Sequence, residues 1–310
     1  MRLVTFTAPG ADAARAATWR LGVVLDHDLI LDAAPAIAAI DAVAGAPDEY
    51  LDWFDAERGW LARVRQAAAR AGDPAAVAAW RAAGVVMPAS GVALLAPIPR
   101  PGKIVCAGLN YRDHAIETKM DIPASPILFA KFSSAVVGDG AAVILPATSH
   151  RIDYEAELAV VIGRRARHVP REAAMAHVLG YMNANDVSAR DFQKDDGQWV
   201  RAKSCDTFAP MGPWLVTAES AGDPHALGVR LRLNGRVMQE SSTSQFIFDI
   251  PALIAFLSAT TTLEPGDVIL TGTPPGVGFA RKPPVYLAAG DVMDVEIDGL
   301  GVLRNPVRAS

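Results

Sequence analysis

The sequence predicts a mainly β, α+β protein, and three observations carry that expectation. Short runs rich in Val, Ile and Leu recur through residues 103–297, bounded by Gly, Pro, Asn and Asp, as strands are. Asn234-Gly235 and Asp298-Gly299 stand between such runs, and a two-residue hairpin turn favours these pairs because both central positions take φ > 0. Antiparallel pairing follows. Helix-forming texture gathers in residues 48–85, rich in Ala, Arg, Glu and Leu, and in one later segment, 249–258.

In chain order, residues 3–31 read as a small hairpin, with Gly22 and the cluster Asp26-His27-Asp28 punctuating apolar segments. A helical arm over 48–85, with Leu51, Phe54 and Leu61 at helical spacing, packs on it. Leu95-Ala-Pro-Ile-Pro-Arg-Pro101 is dense in proline, which blocks regular structure, and it separates a small N-terminal α+β domain (1–97) from a larger domain (98–310). A chain of 310 residues exceeds the ~250–300 at which single cores stop growing, which favours two units. In the larger domain strands are expected at 103–106, 127–130, 143–145, 154–163, 179–187, 214–216, 229–233, 268–271 and 292–297. The helix at 249–258 carries Pro251 in its first turn, where proline is tolerated, and presents Leu253, Phe256 and Leu257 as an apolar stripe.

Composition narrows the function. A hydrophobic fraction of 51% with 20% charged residues belongs to a folded chain rather than a disordered one. Net charge is −5 with no run of Lys and Arg, so nucleic acid is not an expected partner, and an anionic ligand requires cations gathered locally in a cleft. The opening MRLVTFTAPG lacks a basic start, an apolar core and a small-residue cleavage site, so no signal peptide is expected. The apolar stretch 33–46 is interrupted by Pro35 and Asp41 and falls short of the ~18–20 residues of a membrane span, so no membrane helix is expected. Cys106 and Cys205 lack Cys or His neighbours at metal spacing and read as reduced thiols of a cytoplasmic protein.

Three segments bear chemistry. In Asp153-Tyr-Glu-Ala-Glu157, strand alternation puts Asp153, Glu155 and Glu157 on one face. Alone, that pattern also fits a solvated acidic face. Asp186, at the end of the apolar run 179–187, is costly to bury without a partner. If it converges on Glu155 and Glu157, the site is all oxygen, which suits Mg²⁺ or Mn²⁺, with Ca²⁺ as an alternative. In Gly108-Leu-Asn-Tyr-Arg-Asp-His-Ala-Ile-Glu117, a helix after Tyr111 sets His114 and Glu117 on one face, so the carboxylate orients the imidazole as a general base. That spacing is equally common on helix surfaces. Lys131 and Lys203 follow apolar residues and can bring cations to a cleft. Gly272-Thr-Pro-Pro-Gly-Val-Gly278 has prolines and no amphipathic helix after it, which argues against a dinucleotide fold; a turn offering backbone N–H groups and the Thr273 hydroxyl to a substrate carboxylate fits better.

Taken in order, GLNYRDHAIE, PILFAK, DYEAELAVVIG, NDVSARDFQ, RAKSCDTFAPMGPW, LNG and GDVILTGTPPGVG resemble the fumarylacetoacetate hydrolase family from about Pro101 to Val307. The resemblance implies a mixed β-roll, or β-sandwich-like, catalytic domain beside a smaller N-terminal domain, commonly as a homodimer. It implies metal carboxylates at Glu155, Glu157 and Asp186, and a catalytic pair His114 and Glu117 on a segment that closes over substrate. It places Lys203 beside the substrate, Lys131 in the pocket, Arg190 and Gln193 in a polar surround, and Gly272 with Thr273 on the turn that meets the substrate carboxylate. The segments TFAPMGPWLVT and KPPVYLAAGDVM are similar to a bacterial branch of 2,4-diketo-3-deoxy-sugar-acid hydrolases and acylpyruvases.

The expected reaction is metal-dependent hydrolysis of a C–C bond in a 2,4-dioxo acid, releasing pyruvate or a similar 2-oxo acid. Decarboxylation of oxaloacetate and isomerisation or hydration of unsaturated 2-oxo diacids run through the same enolate, and fold alone does not choose among them. The presence of both His114 and Glu117 favours hydrolysis, which needs an activated water. A non-catalytic binding protein is the remaining class, and an absent base or metal carboxylate would have favoured it.

Overall fold

The strand Ala156–Ile162 sets the architecture, because every residue in it is buried. In the computed structural model, Leu158, Val160 and Ile162 join one apolar cluster while Ala159 and Val161 join another, so both faces are covered. That is why its sequence reads as a continuous apolar run rather than an alternating one. The structure describes residues 1–25, 28–41 and 46–310. Asp26 and His27 of the expected turn, and 42–45 of the apolar stretch, lie outside the described residues.

The strand lies in a mixed sheet of order Val86–Pro88, Leu29–Asp32, Arg20–Val24, Arg2–Thr7, Ala209–Thr217, Val178–Asn185, Ala156–Ile162, Val268–Leu270, Ile104–Gly108 and Ile127–Lys131. All neighbours on this path are antiparallel except Val268–Leu270 with Ile104–Gly108. A second sheet, ordered Arg236–Ser242, Gly228–Leu233, Val292–Ile297, Val302–Ala309 and Val143–Leu145, packs on one face. Its inward residues Val229, Leu231, Val295, Ile297 and Leu303 meet Leu158 and Val160. The mainly β, α+β class expected from the sequence is what the chain adopts.

The residues before and after the proline-rich connector share this sheet. Leu3 pairs with Leu215, and the Thr5 hydroxyl donates to Pro97 O at 2.6 Å, which fixes the connector on the first strand. Within the arm expected to be helical, turns and helices form at Tyr50–Phe54, Trp60–Arg70 and Pro74–Ala82. Phe54, Leu61 and Val64 bury against Leu3 and Leu21.

Asn234 and Gly235 have φ of 53° and 79° and close a hairpin in which Leu233 faces Arg236. Asp298-Gly299 does not form the expected two-residue turn. Glu296 pairs with Val302, so the loop is longer; Leu300 is drawn fully into the core and Gly301 passes against Trp214, where a Cβ would sit 2.6 Å from the ring. The helix Ile250–Ser258 is capped by Asp249, whose Oδ1 accepts from Ala252 N–H at 2.9 Å. Its buried stripe is Ile250, Leu253, Ile254 and Leu257; Phe256, expected inside, is 44% exposed. Each fully buried aliphatic side chain there stabilises by about 1.5–3 kcal/mol.

Candidate active site

The acidic cluster follows from strand register. The strand expected over 154–163 is broken: Ile152–Asp153 pairs with Ser188–Ala189, and the run resumes at Ala156. Asp186 N–H donates to Glu155 O at 2.8 Å and the Asn185 side chain accepts from Glu155 N–H at 2.9 Å, locking the two chain segments where they meet. Glu155, Glu157 and Asp186 thereby each offer an oxygen within 4.8 Å of one another, all three buried.

Cations answer some of this charge. Lys203 Nζ lies 2.7 Å from Glu155 and 2.8 Å from Asp186; Lys131 Nζ lies 2.5 Å from Asp186; Arg190 Nη2 lies 2.5 Å from Glu155. Burial pushes the Glu155 carboxyl up, but Arg190 and Lys203 outweigh it and hold it at about 2. Glu157 has no ion pair among the described residues and accepts only the Gly272 N–H, at 2.7 Å. Burial, then Asp186 and Glu155, push its carboxyl well above the usual carboxylate range. Three buried oxygen donors, one of them without a cation, with no thiol or imidazole in the set, fit a hard divalent ion. Cys106 and Cys205 are both free.

The helix Arg112–Thr118 brings the second group of residues. His114 Nδ1 lies 3.0 Å from Glu117 Oε2, as the spacing predicts. The ring faces the cavity, and Nε2 has no partner among the described residues. Three bonds hold this helix down: Glu117 accepts from Gly276 N–H at 2.9 and 3.1 Å, Asp113 accepts from the Ser241 hydroxyl at 2.5 Å, and Arg112 Nη1 donates to Phe246 O at 2.5 Å.

The turn 272–278 binds carboxylates of the protein itself. Gly272, Gly276 and Gly278 donate their N–H groups to Glu157, Glu117 and Asp153 respectively. The Thr273 hydroxyl donates to Ala156 O at 3.0 Å and accepts from Gln239 Nε2 at 2.8 Å, so its proton is already used. That departs from the expected donation to substrate, and leaves the Thr273 backbone N–H, which has no partner among the described residues.

These elements surround a cavity of about 480 Å³. Of the expected residues, His114, Glu155, Glu157, Arg190, Gln193, Lys203 and Thr273 line it. Glu117, Lys131, Asp186 and Gly272 do not: Glu117 holds His114 Nδ1, Asp186 is covered by the Lys131 and Lys203 ammonium groups, Lys131 bonds also to Val187 O, and Gly272 holds Glu157 from the rear. Sequence reasoning missed Asp153 as a brace. Its carboxylate takes Arg190 Nε at 2.8 Å and the N–H groups of Gly278 and Phe279, and Arg190 in turn donates to Gln193 at 2.9 Å. The alternation that grouped Asp153 with Glu155 was the available signal. Gln239, whose Oε1 accepts from Ala156 N–H, and the wall residues Phe129, Trp199 and Tyr286 carried none.

Comparison with known proteins agrees with this arrangement. The family model described as fumarylacetoacetate hydrolase C-terminal matches residues 103–308. The chain is 52% identical over 224 residues to a mitochondrial oxaloacetate tautomerase of Xenopus laevis, across 72% of this chain and 70% of that one. A human mitochondrial oxaloacetate tautomerase is 51% identical over 224 residues, covering 72% and 71%. Among solved structures, a maleylpyruvate hydrolase from Sphingobium sp. SYK-6 in complex with manganese(II) and pyruvate is 31% identical with a TM-score of 0.75, covering 100% of each chain. A 2-hydroxyhepta-2,4-diene-1,7-dioate isomerase from Mycobacterium marinum is 34% identical with a TM-score of 0.72, covering 100% of this chain and 99% of that one. The matched residues take in the acidic triad, the His114 helix and the glycine-rich turn, and the chain belongs to the fumarylacetoacetate hydrolase family.

Proposed function

We propose that this chain is a divalent-metal-dependent enzyme that enolises small 2-oxo acids, with keto–enol tautomerisation of oxaloacetate as its reaction. The observation that carries it is the buried triad Glu155, Glu157 and Asp186 with Lys203 among its oxygens and His114 on the facing helix. Relatives at 51–52% identity are named oxaloacetate tautomerases, which supports this reaction over those of structural neighbours at 31–34%.

Mg²⁺ or Mn²⁺ held by the triad would act as a Lewis acid toward the 2-oxo group and its carboxylate, lowering the cost of enolate charge. Lys203 spends two N–H donors on Glu155 and Asp186 and keeps a third for the substrate oxygen. Neutral His114 takes a proton from the carbon beside the 2-oxo group through Nε2, and in ketonisation the imidazolium returns it. Glu117 at 3.0 Å fixes the tautomer and stabilises the cation.

A second reading, hydrolysis of a C–C bond in a 2,4-dioxo acid, is favoured by the same His114–Glu117 pair. Water that gives a proton to Nε2 would add to the distal carbonyl, the electrons of the broken C–C bond would leave on the pyruvate enolate, and the imidazolium would return the proton to the enolate carbon. The two free thiols support a reducing compartment such as the cytoplasm. Among the described residues no helix is long and apolar enough to cross a membrane. The homodimer implied by the family resemblance is checked by light scattering.

The deciding assay follows oxaloacetate keto–enol interconversion by ultraviolet absorbance after chelation and again after adding Mn²⁺ or Mg²⁺, with pyruvate release measured in parallel from oxaloacetate, acylpyruvates and diketo-deoxy sugar acids. Metal-dependent interconversion without pyruvate supports the tautomerase. Pyruvate from dioxo acids moves the reading to hydrolase, pyruvate from oxaloacetate to decarboxylase.

A further inference from the structure

The turn that holds Glu117 is itself held from behind, by side chains that do not line the cavity. A short helical turn at Gly278–Ala280 bends the chain so that Arg281, whose N–H donates to Gly278 O at 3.3 Å, doubles back toward Gly276. Arg281 Nε donates to Gly276 O at 3.1 Å, and the Tyr154 hydroxyl donates to the same oxygen at 3.2 Å. Arg281 Nη2 donates to Met238 O. Met238 is the extra residue of a bulge: Leu231 faces Gln239 and Arg232 faces Val237 across the hairpin, which leaves Met238 with no residue opposite.

A half-buried guanidinium usually meets a carboxylate, and Arg281 has no ion pair among the described residues. The acids of this neighbourhood are engaged elsewhere. Glu117 takes His114 and the Gly276 N–H, and Asp153 takes Arg190 with the N–H groups of Gly278 and Phe279. The charge of Arg281 is spent on main-chain oxygens instead. Its planar fork takes one carbonyl from the turn and one from the bulged strand, and so ties the two backbones together. The fit is close, since a Cβ on Gly276 would stand 2.0 Å from Met238 O.

We infer that Arg281 is a positioning residue for the His114 base, acting through the Gly276 main chain and Glu117. The inference rests on the reading of His114 as proton acceptor and adds to it the part that sets the ring. With Gly276 O fixed by Arg281 and Tyr154, the Gly276 N–H is aimed at both Glu117 oxygens, at 2.9 and 3.1 Å, and Glu117 holds His114 Nδ1 at 3.0 Å. Without the guanidinium, Met238 O loses its side-chain donor and Gly276 O keeps only the Tyr154 bond. Glu117 then follows a looser N–H, and the imidazole spreads over orientations of which few bring Nε2 to the substrate carbon. The triad and Lys203 are held by other bonds, so ligand binding is spared.

The test is a double-mutant cycle of R281M and E117Q in the manganese-loaded protein. It is read as kcat and KM for oxaloacetate keto–enol interconversion, with oxalate binding measured by calorimetry and folding by Tm. R281M should lower kcat about tenfold and leave KM and oxalate affinity within about twofold. In the E117Q background the charge that steadies the ring is already gone, so R281M should cost less than about twofold more; a residue that only stabilises the fold would cost the same in both backgrounds. R281K keeps the cation but reaches one carbonyl, and should recover part of the loss, while Y154F should reproduce it more weakly. Should R281M not fold, the cycle is run with R281K and the same non-additivity is required. Equal losses in the two backgrounds, or a loss of oxalate binding that matches the loss in kcat, overturns the role of Arg281 alone. H114Q that works as fast as the wild type, or a wild type that does not interconvert oxaloacetate, overturns the base reading and the role of Arg281 with it.

Discussion

Glu157→Gln should stabilise the protein without metal and weaken its response to metal. Glu157 is buried, shares its site with two further carboxylates, and takes no ion pair among the described residues, whereas Lys131, Lys203 and Arg190 each answer Asp186 or Glu155. Glutamine keeps the shape, can still accept the Gly272 N–H through its carbonyl oxygen, and turns its amide N–H groups toward oxygens that repel a carboxylate. Relief of an unpaired buried charge, less the loss of one charge-assisted bond, amounts to about 1–3 kcal/mol. At about 2 °C per kcal/mol for a chain of this size, the metal-free Tm rises by roughly 2–6 °C.

The pH dependence has a defined sign. The Glu157 carboxyl is raised in the folded state, so its contribution to stability is present below its unfolded pKa and is lost as pH rises through its folded one. The metal-free wild type therefore loses stability as pH climbs above the ordinary carboxylate range, Glu157→Gln does not, and the gap widens with pH. With Mn²⁺ the order of effects reverses. An ion at a thousand times its Kd stabilises by about 4 kcal/mol, and an affinity loss of about 100-fold cuts that below about 1.5 kcal/mol at the same free ion. Differential scanning calorimetry of both proteins, chelated and with Mn²⁺, across about pH 5–9 reads the metal-free gap, its pH dependence and the Mn²⁺ shift. A metal-free variant that melts lower than the wild type, with an undiminished Mn²⁺ shift, would refute both the unpaired charge and the metal site.

His114→Gln should lower kcat about 10²–10⁴-fold while oxalate binding to the manganese-loaded protein changes far less; equal losses would make His114 a binding residue only. Glu117→Gln keeps an acceptor for Gly276 but not the negative charge beside the imidazole, so kcat should fall about tenfold with little change in Tm, measured by steady-state kinetics and calorimetry. Gly276→Ala combines φ of 100° with a Cβ 2.0 Å from Met238 O, and should cost more than about 2 kcal/mol and most of the activity. Gly235→Ala is its control: φ is 79° but nothing lies within 4 Å, so the cost is about 1–2 kcal/mol and kcat holds.

What the sequence made legible was local. The runs at 143–145 and 292–297 are strands with the expected ends, because apolar β-branched stretches bounded by turn residues have few other uses. The triad was legible because an acid inside an apolar strand is expensive unless something answers it. What escaped depends on contacts far apart in the chain. The pairing of Leu3 with Leu215, which joins the N-terminal strands to the main sheet, leaves no mark on either segment. The Thr273 hydroxyl is consumed by Gln239 and by Ala156 O, and Gln239 sits in the polar strand Arg236–Ser242, which no apolar periodicity announced. The family resemblance puts Lys131 in the pocket, yet its strand turns the ammonium onto Asp186 and Val187 O, away from the cavity.

The turn 272–278 explains why one fold can serve several reactions. Its backbone donates to Glu157 of the triad, to Glu117 beneath His114, and to Asp153, which braces Arg190. Such donation needs N–H groups brought close to carboxylates from positions where side chains do not fit: Gly272 has φ of 95° with Asn110 Cβ 2.7 Å from a would-be Cβ. The acidic triad, the base and the inner arginine are therefore held in register by main chain, whatever the substrate. Enolate formation is common to tautomerisation, decarboxylation and C–C hydrolysis, so a frame that fixes only those groups leaves the outcome open. Selection falls instead to cavity-lining side chains outside that frame, such as Ile127, Trp199 and Tyr286. Relatives that share the frame and differ at those side chains are then expected to differ in substrate before they differ in chemistry.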